Sequence, residues 1–378
     1  MGYAWGSRTA IAELQGREPS AEPEAELWLG AHPKAPSRLE DGTNLRDFLA
    51  QHPGALGAKD KELPFLLKVL AAEVPLSLQA HPSLEQARHG YMMEEALGVP
   101  IDAVDRNYRD PNPKPELVCA LTRFEALSGF RDRDDGLAVL RAFDVAIDAD
   151  TTDWPAFLAR TVRSWLQAPP TDAFDRLRAA LPTARARYPR EAHWTAQLLE
   201  QYPGDAGVLV ALLLRHRTLE PGEALALEAG NLHAYLHGTA IEIMASSDNV
   251  LRGGLTPKHV DVDELLRVLR FDLPAPAPLL PHAIAPGLCS YPTPFEQFEL
   301  TRYQGPAPTT LALHAGTIVL VTRGALRARS AAGELTLARG DAAFVAATEE
   351  SLELQPLELQ SSSEGVDAFL ASVPRGSS

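Results

Sequence analysis

Residues Glu220–Asn249 read EPGEALALEAGNLHAYLHGTAIEIMASSDN, and at the centre of this stretch AGNLHAYLHG (Ala229–Gly238) holds two histidines four residues apart. On a helix His233 and His237 would share one turn and could bind one metal, as in H-E-x-x-H zinc sites. On a strand the rise of about 3.3 Å per residue puts them roughly 13 Å apart. Zinc–nitrogen bonds of about 2.0–2.1 Å cannot bridge that span. Pro221-Gly222 opens the segment, Gly230 interrupts it and Gly238 closes it, while Leu225, Leu227, Leu232, Ala234 and Leu236 alternate with other residues. Ala234 also stands where the glutamate of H-E-x-x-H would be. The pattern predicts strands, so at most one of the two histidines is a ligand.

Outward from this segment the texture changes twice. Residues 1 to about 120 mix short apolar runs with Gly and Pro, as in LPFLLKVLAAEVPLSLQAHP, which predicts strands and turns with occasional helices. From about 131 to 217, DDGLAVLRAF, DWPAFLARTVRSWLQ, DAFDRLRAALPTARARY and AHWTAQLLEQY carry apolar residues at three- and four-residue spacing, the period of helices. After Glu220 strands return, DVDELLRVLRF predicts one helix, and a proline-rich connector, DLPAPAPLLPHAIAPG, leads to a C-terminal run of short strands and hairpins. The two strand-rich halves read as variations on one small barrel.

The chain has 378 residues with 45% hydrophobic and 22% charged, ordinary for a globular protein. Its longest strongly apolar run, Val208–Leu214, is far too short to span a bilayer. The N-terminal MGYAWGSRTAIAELQG has no basic segment followed by an apolar one, so no secretory signal is expected. Two cysteines, Cys119 and Cys289, fit a reducing cytoplasm and exclude an all-thiolate zinc site. A formal charge of −15 makes nucleic acid or an acidic membrane a poor partner, and any anionic ligand must find local positive contacts.

Spacing selects between the histidines. Cupin barrels carry a motif G-x5-P-x-G-x2-H-x3-N, and Gly222, Gly230 and His233 resemble it, with Glu228 in place of proline and His237 in place of asparagine. His233 is therefore the ligand candidate, and His237 is expected to be structural or near the pocket rim. Further donors come from upstream. Gln79 and His81 in LSLQAHP are i and i+2, which on a strand places both on one face. Glu116 leads the apolar run ELVCAL. Two imidazoles, one amide oxygen and one carboxylate suit zinc, or less selectively manganese, cobalt or iron. Glu242, between Ile241 and Ile243, is a candidate general base if buried. Arg252 and Lys258, flanking Gly253-Gly254, could clamp a phosphate.

Taken together, YAWGS, LPFLLKVLAAEVPLSLQAHP, NPKPE, FEALSGFR, AGNLHAYLHG and EIMASSDNVLRGGLTPKHVD resemble, in order, the motifs of type I mannose-6-phosphate isomerases. The resemblance implies a mainly β fold of two cupin-type (jelly-roll) barrels with an α-helical insert. The units would be a catalytic barrel over 1–130 and 218–270, a helical domain over 131–217 and a second barrel over 271–378. That second barrel is expected to be metal-free, since Ala346 and Ala347 lie near where a ligand would fall. One Zn2+ per chain would be held by Gln79, His81, Glu116 and His233. Glu242, Arg252 and Lys114 would be catalytic, and Trp5, Lys68, Ser77 and Lys258 would bind substrate. Glu242 is the first choice for moving a proton between C2 and C1, and Lys114 the second. The family's histidine before the lysine of KPE is Pro113 here, and its proline before AG is Glu228.

The implied reaction interconverts mannose 6-phosphate and fructose 6-phosphate by enediol proton transfer, in a monomeric cytoplasmic enzyme. Three alternatives stand beside it: an isomerase of unphosphorylated mannose or a related sugar, a non-catalytic sugar-phosphate-binding cupin, and a metal-dependent cupin dioxygenase.

Overall fold

The computed structural model describes residues 1–57, 62–147, 150–357 and 365–375. Nine strands make one connected β system: β1 (Glu26–Leu29), β2 (Phe65–Ala72), β3 (Gln79–Ala80), β4 (Glu116–Ala120), β5 (Phe124–Phe130), β6 (Leu214–Leu219), β7 (Ala224–Leu227), β8 (His233–Ala245) and β9 (Leu251–Arg252). The segment that decided the sequence reading supplies the hub. The C-terminal half of β8 pairs with β2, from Phe65↔Ala245 to Ala72↔Gly238, and with β4, from Glu116↔Met244 to Ala120↔Ala240. Its N-terminal half pairs with β5, ending at Ser128↔His233, and with β3 at Gln79↔His233.

Two details of this strand differ from the sequence expectation. Gly238 does not close it; the chain runs on through a left-handed φ of +118°, where a Cβ would lie 2.6 Å from the Arg123 carbonyl. This is the point at which β8 passes from one set of partners to the other, a turn in direction that glycine alone makes without strain. The alternation of β8 also does not become an inside and an outside, because nearly every residue in it is buried, His237 and Thr239 being the less covered positions. One face lines the interior; the other is covered by helices at Ala234 and Leu236 and packs in one core with Phe298, Leu300, Ile318 and Leu320 at Ile241 and Ile243.

Those helices, Arg133–Ala142, Trp154–Gln167, Ala173–Ala184, Pro189–Gln201 and Gly207–Leu213, lie in sequence between β5 and β6. Asp132 and Asp153 start the first two by accepting the backbone N–H of Asp135 and Ala156. The apolar run at 208–213 is wholly buried and shares one core with Leu127, Leu232, Ala234 and Leu236 of the strands. Each large side chain buried there contributes about 1.5–3 kcal/mol. Phe130 and Leu214, the residues at either end of the helical segment, are cross-strand partners. No helix among the described residues is long and apolar enough to cross a membrane.

Among the described residues from His282 to Ser372, ten further strands form a six-stranded and a four-stranded sheet, whose apolar faces meet around Tyr303, Val319, Leu326, Leu354 and Leu370. The contact with the first β system has a polar centre. The Cys119 thiol donates to the Tyr291 hydroxyl (3.2 Å), which donates to the Gly222 carbonyl (2.9 Å). Beside them Arg302 holds Asp367 in a buried two-point pair at 2.8 and 2.6 Å.

Candidate active site

Strand pairing places the predicted donors together. Gln79 is the register partner of both His233 and Arg252, so β3 lies between β8 and β9. Glu116 stands at the start of β4, and His81 directly follows β3. Donor atoms of His81, Glu116 and His233 lie within 4.8 Å of one another, and all three residues are buried. Gln79 lines the same recess. Its Nε2 donates to Ser77 Oγ (3.2 Å), and its Oε1 has no protein donor among the described residues.

The orientation of the rings gives the cluster its chemistry. His81 Nδ1 faces the Asn249 carbonyl at 2.8 Å, and His233 Nδ1 faces the Asn231 carbonyl at 3.1 Å. A carbonyl can only accept, so Nδ1 carries the proton in both rings and each Nε2 presents a lone pair. Those two Nε2 atoms point at the Glu116 carboxylate, at 3.1 and 3.4 Å. His81 Nε2 is fully buried and makes no hydrogen bond. Burial, with Lys114 and His233 adding to it against the pull of Glu116, drives the His81 ring down to about 4, so it is neutral near neutral pH. Burial pushes the Glu116 carboxyl up, but the neighbouring His81 ring and then the Lys114 ammonium outweigh it and hold the group well below the usual carboxylate range. Lone pairs converging on a carboxylate in a buried recess are satisfied by a cation. The residues fit a resident divalent metal with nitrogen and oxygen ligands.

Next to this cluster lies a second layer of buried charge. The Lys68 ammonium sits between Glu242 (2.9 Å) and Glu26 (3.2 Å). Burial opposes its charge, yet these two carboxylates prevail and raise it above the ordinary lysine value. Burial raises the Glu242 carboxyl, with Glu116 and Glu26 adding to the effect and Lys68 opposing it. The Lys114 ammonium is 3.3 Å from Glu116. The Tyr235 hydroxyl donates to Glu116 (3.4 Å). This recess opens into a cavity of about 560 Å³ whose walls include Trp5, Lys68, Ser77, Lys114, Arg252 and Lys258. Every residue singled out from the sequence for metal or substrate therefore lines the recess or its mouth, or belongs to the His81–Glu116–His233 cluster. His237 does not; it is exposed on β8, opposite Glu125.

Sequence reasoning missed several residues. Glu26 stands in an acidic stretch, AEPEAELWLG, where nothing marks it as the one that reaches a buried lysine. Asn249 was legible only as turn chemistry, yet it is wholly buried. Its Nδ2 donates to the carbonyls of Asp110 (2.7 Å) and Asn112 (2.9 Å), and its Oδ1 accepts from the backbone of Arg109 (2.7 Å) and Asp110 (3.3 Å). His32 and Asp248, 3.6 Å apart, form part of the cavity wall with Lys34.

The chain is similar to known proteins over most of its length. The family model for phosphomannose isomerase type I, catalytic domain, matches residues 1–133. Mannose-6-phosphate isomerase of Escherichia coli (strain K12) is 36% identical over 381 residues, which cover 93% of this chain and 94% of the relative. Mannose-6-phosphate isomerase 1 of Arabidopsis thaliana is 33% identical over 403 residues, 96% of this chain and 90% of the relative. A crystal structure of zinc-bound mannose 6-phosphate isomerase superposes with a TM-score of 0.88 at 35% identity, covering 99% of this chain and 97% of that one. The apo form from Salmonella typhimurium gives the same TM-score. With more than nine-tenths of its length aligned to these relatives, the chain belongs to the type I phosphomannose isomerase family.

Proposed function

We propose that the chain is a zinc-dependent aldose–ketose isomerase that interconverts mannose 6-phosphate and fructose 6-phosphate. The observation that carries this reading is the pair of buried imidazole lone pairs aimed at Glu116, with two carboxylates and Lys68 alongside. Gln79, His81, Glu116 and His233 would hold the metal. Zinc bound there supplies Lewis-acid stabilisation of negative charge on the sugar oxygens at C1 and C2.

The chain's own groups handle the protons. Glu242, its carboxyl raised by burial, accepts the proton from C2 of the open-chain aldose and returns it to C1. One C–H bond breaks at C2 and one forms at C1, while the hydroxyl proton lost from O2 is matched by one gained at O1, so the step is redox-neutral overall and no external oxidant or reductant is needed. Lys68 holds Glu242 in position through its 2.9 Å pair, and its remaining attraction is spent on Glu26. Lys114, at the rim of the recess, is placed to donate to a sugar oxygen as charge develops there. Arg252 and Lys258 at the mouth would take the phosphate, and Trp5, stacked on Tyr3 at 5.6 Å, would form an apolar wall.

The unit carrying the site is taken as residues 1–130 with 218–270, the helical insert as 131–217, and a metal-free cupin unit as 271–378. A cytoplasmic enzyme without a nucleic-acid partner is supported by the charge of −15 and two free cysteines. The test is to follow fructose 6-phosphate formation before and after stripping with a chelator, and after adding zinc back. Full activity in the metal-free protein would refute the reading. Glu242→Gln should lower kcat by about 10²–10⁴-fold, and near-normal turnover would move the proton shuttle to Lys114.

A further inference from the structure

Three cations meet at the cavity mouth, and one of them has no role so far. Arg109 lines the same wall as Arg252 and Lys258. They come from three separate segments, each fixed by its own backbone contacts. Arg109 is held by its N–H to Asn249 Oδ1 (2.7 Å). Arg252 is on β9, in register with Gln79. The Lys258 loop is tied down by Thr256 N–H to Asp205 Oδ2 (3.0 Å) and by Lys258 N–H to Thr256 Oγ1 (3.1 Å).

The three feel one another. Burial and then Arg109 lower Arg252, while burial, Arg252 and Arg109 in turn lower Lys258. Among the described residues, none of the three side chains makes an ion pair or a hydrogen bond. The nearby carboxylates are already engaged: Glu26 and Glu242 by Lys68, Glu116 by Lys114 and the two imidazoles, and Asp248 by Lys34 at 2.8 Å. In a chain with 50 acidic and 35 basic residues, three cations on one cavity wall without a carboxylate partner make a local positive site that suits an anion.

We propose that Arg109 is a third phosphate-binding residue, closing a tripod with Arg252 and Lys258 at the cavity mouth. The identity of the anion as the substrate's phosphate rests on the isomerase reading above; the tripod itself rests on the geometry. Asn249 links the two ends of the site, since its side chain holds the Arg109 backbone while its carbonyl accepts from His81. A guanidinium adds up to two donors in a planar fork, which a lysine in its place would supply less specifically.

The test uses the zinc-loaded enzyme with inorganic phosphate as the probe, titrated calorimetrically into wild type, Arg109→Gln and Arg109→Lys, alongside steady-state kinetics. Arg109→Gln should weaken phosphate about 10- to 100-fold, the loss of one or two charge-assisted hydrogen bonds. KM for mannose 6-phosphate should rise by a similar factor, with the smaller effect on kcat, and Arg109→Lys should recover most of the loss. Wild-type phosphate affinity and KM in Arg109→Gln would overturn the tripod while leaving the isomerase reading intact. A wild type that binds phosphate in an Arg109-dependent way but does not isomerise mannose 6-phosphate would support the tripod and overturn that reading.

Discussion

Replacing Asn249 with alanine should cost about 3 kcal/mol of stability and weaken the metal centre, although the side chain touches neither metal nor substrate. The residue is fully buried, and its amide makes four backbone hydrogen bonds, two given at 2.7 and 2.9 Å and two accepted at 2.7 and 3.3 Å. A net contribution of about 1 kcal/mol per bond sets an upper figure of about 4 kcal/mol. Arg109 and Asp110 are half-buried, so water recovers part of that. In domains of 150–250 residues each kcal/mol shifts Tm by about 2–4 °C, so a drop of about 6–12 °C is expected. The effect reaches the metal because His81 Nδ1 donates to the Asn249 carbonyl (2.8 Å). Loss of such an outer contact typically weakens metal binding about 10- to 100-fold. Thermal unfolding of zinc-loaded and zinc-free protein, together with zinc competition against a chromophoric chelator, reads both effects. Asn249→Asp is the control: it keeps the volume but turns an oxygen toward two carbonyls, so it should be at least as damaging as alanine. A Tm within about 1 °C of wild type and zinc affinity within about twofold for Asn249→Ala would refute the reasoning.

The Arg302–Asp367 pair makes a second case. Asp367→Ala leaves a buried guanidinium without its partner and should cost about 3–5 kcal/mol, while Arg302→Met with Asp367→Leu should recover most of it. Urea unfolding separates the two, and a single variant as stable as wild type would sink the argument. The acid limb of stability tests Glu125. Burial pushes its carboxyl up, but hydrogen bonds from His216 and Arg123 dominate and bring it down to about 2. Its contribution is therefore complete above the ordinary glutamate value of about 4.3 and is lost as pH falls toward 2. The deficit of Glu125→Gln in unfolding midpoint should shrink between pH 6 and pH 2, and a deficit constant over that range would contradict the assignment.

Much of the site was legible because its chemistry is carried by residue types that seldom cluster by chance. Strand spacing excluded one metal shared by His233 and His237, the G-x2-H motif selected His233, and the mainly β fold with a helical stretch followed from the change of period near Asp132 and again near Glu220. The family motifs added Lys68, Ser77 and Lys114. What stayed hidden depended on long-range pairing. Glu26 reaches Lys68 because β1 lies beside β2, with Trp28 opposite Lys68, and nothing local in AEPEAELWLG encodes that neighbour. Asn249 sits in SSDN, where a turn is the ordinary reading; its burial arises only when the 109–112 loop folds over it. The smooth alternation of β8 was misleading for a similar cause, since the helices and the C-terminal strands that cover its outer face come from distant stretches of chain.

The joining of the helical segment at Phe130 and Leu214 has a consequence for chain continuity. Because these residues face each other across β5 and β6, the strands keep their alignment whatever happens to the covalent path between them. The packing of 208–213 on Leu127, Leu232, Ala234 and Leu236 gives a second, non-covalent connection. A polypeptide nicked between Ala142 and Trp154 would bear Gln79, His81 and Glu116 on one fragment and His233 and Glu242 on the other. Neither piece could assemble the ligand set alone, so metal capture by a mixture of the two would itself report that the fragments had found each other.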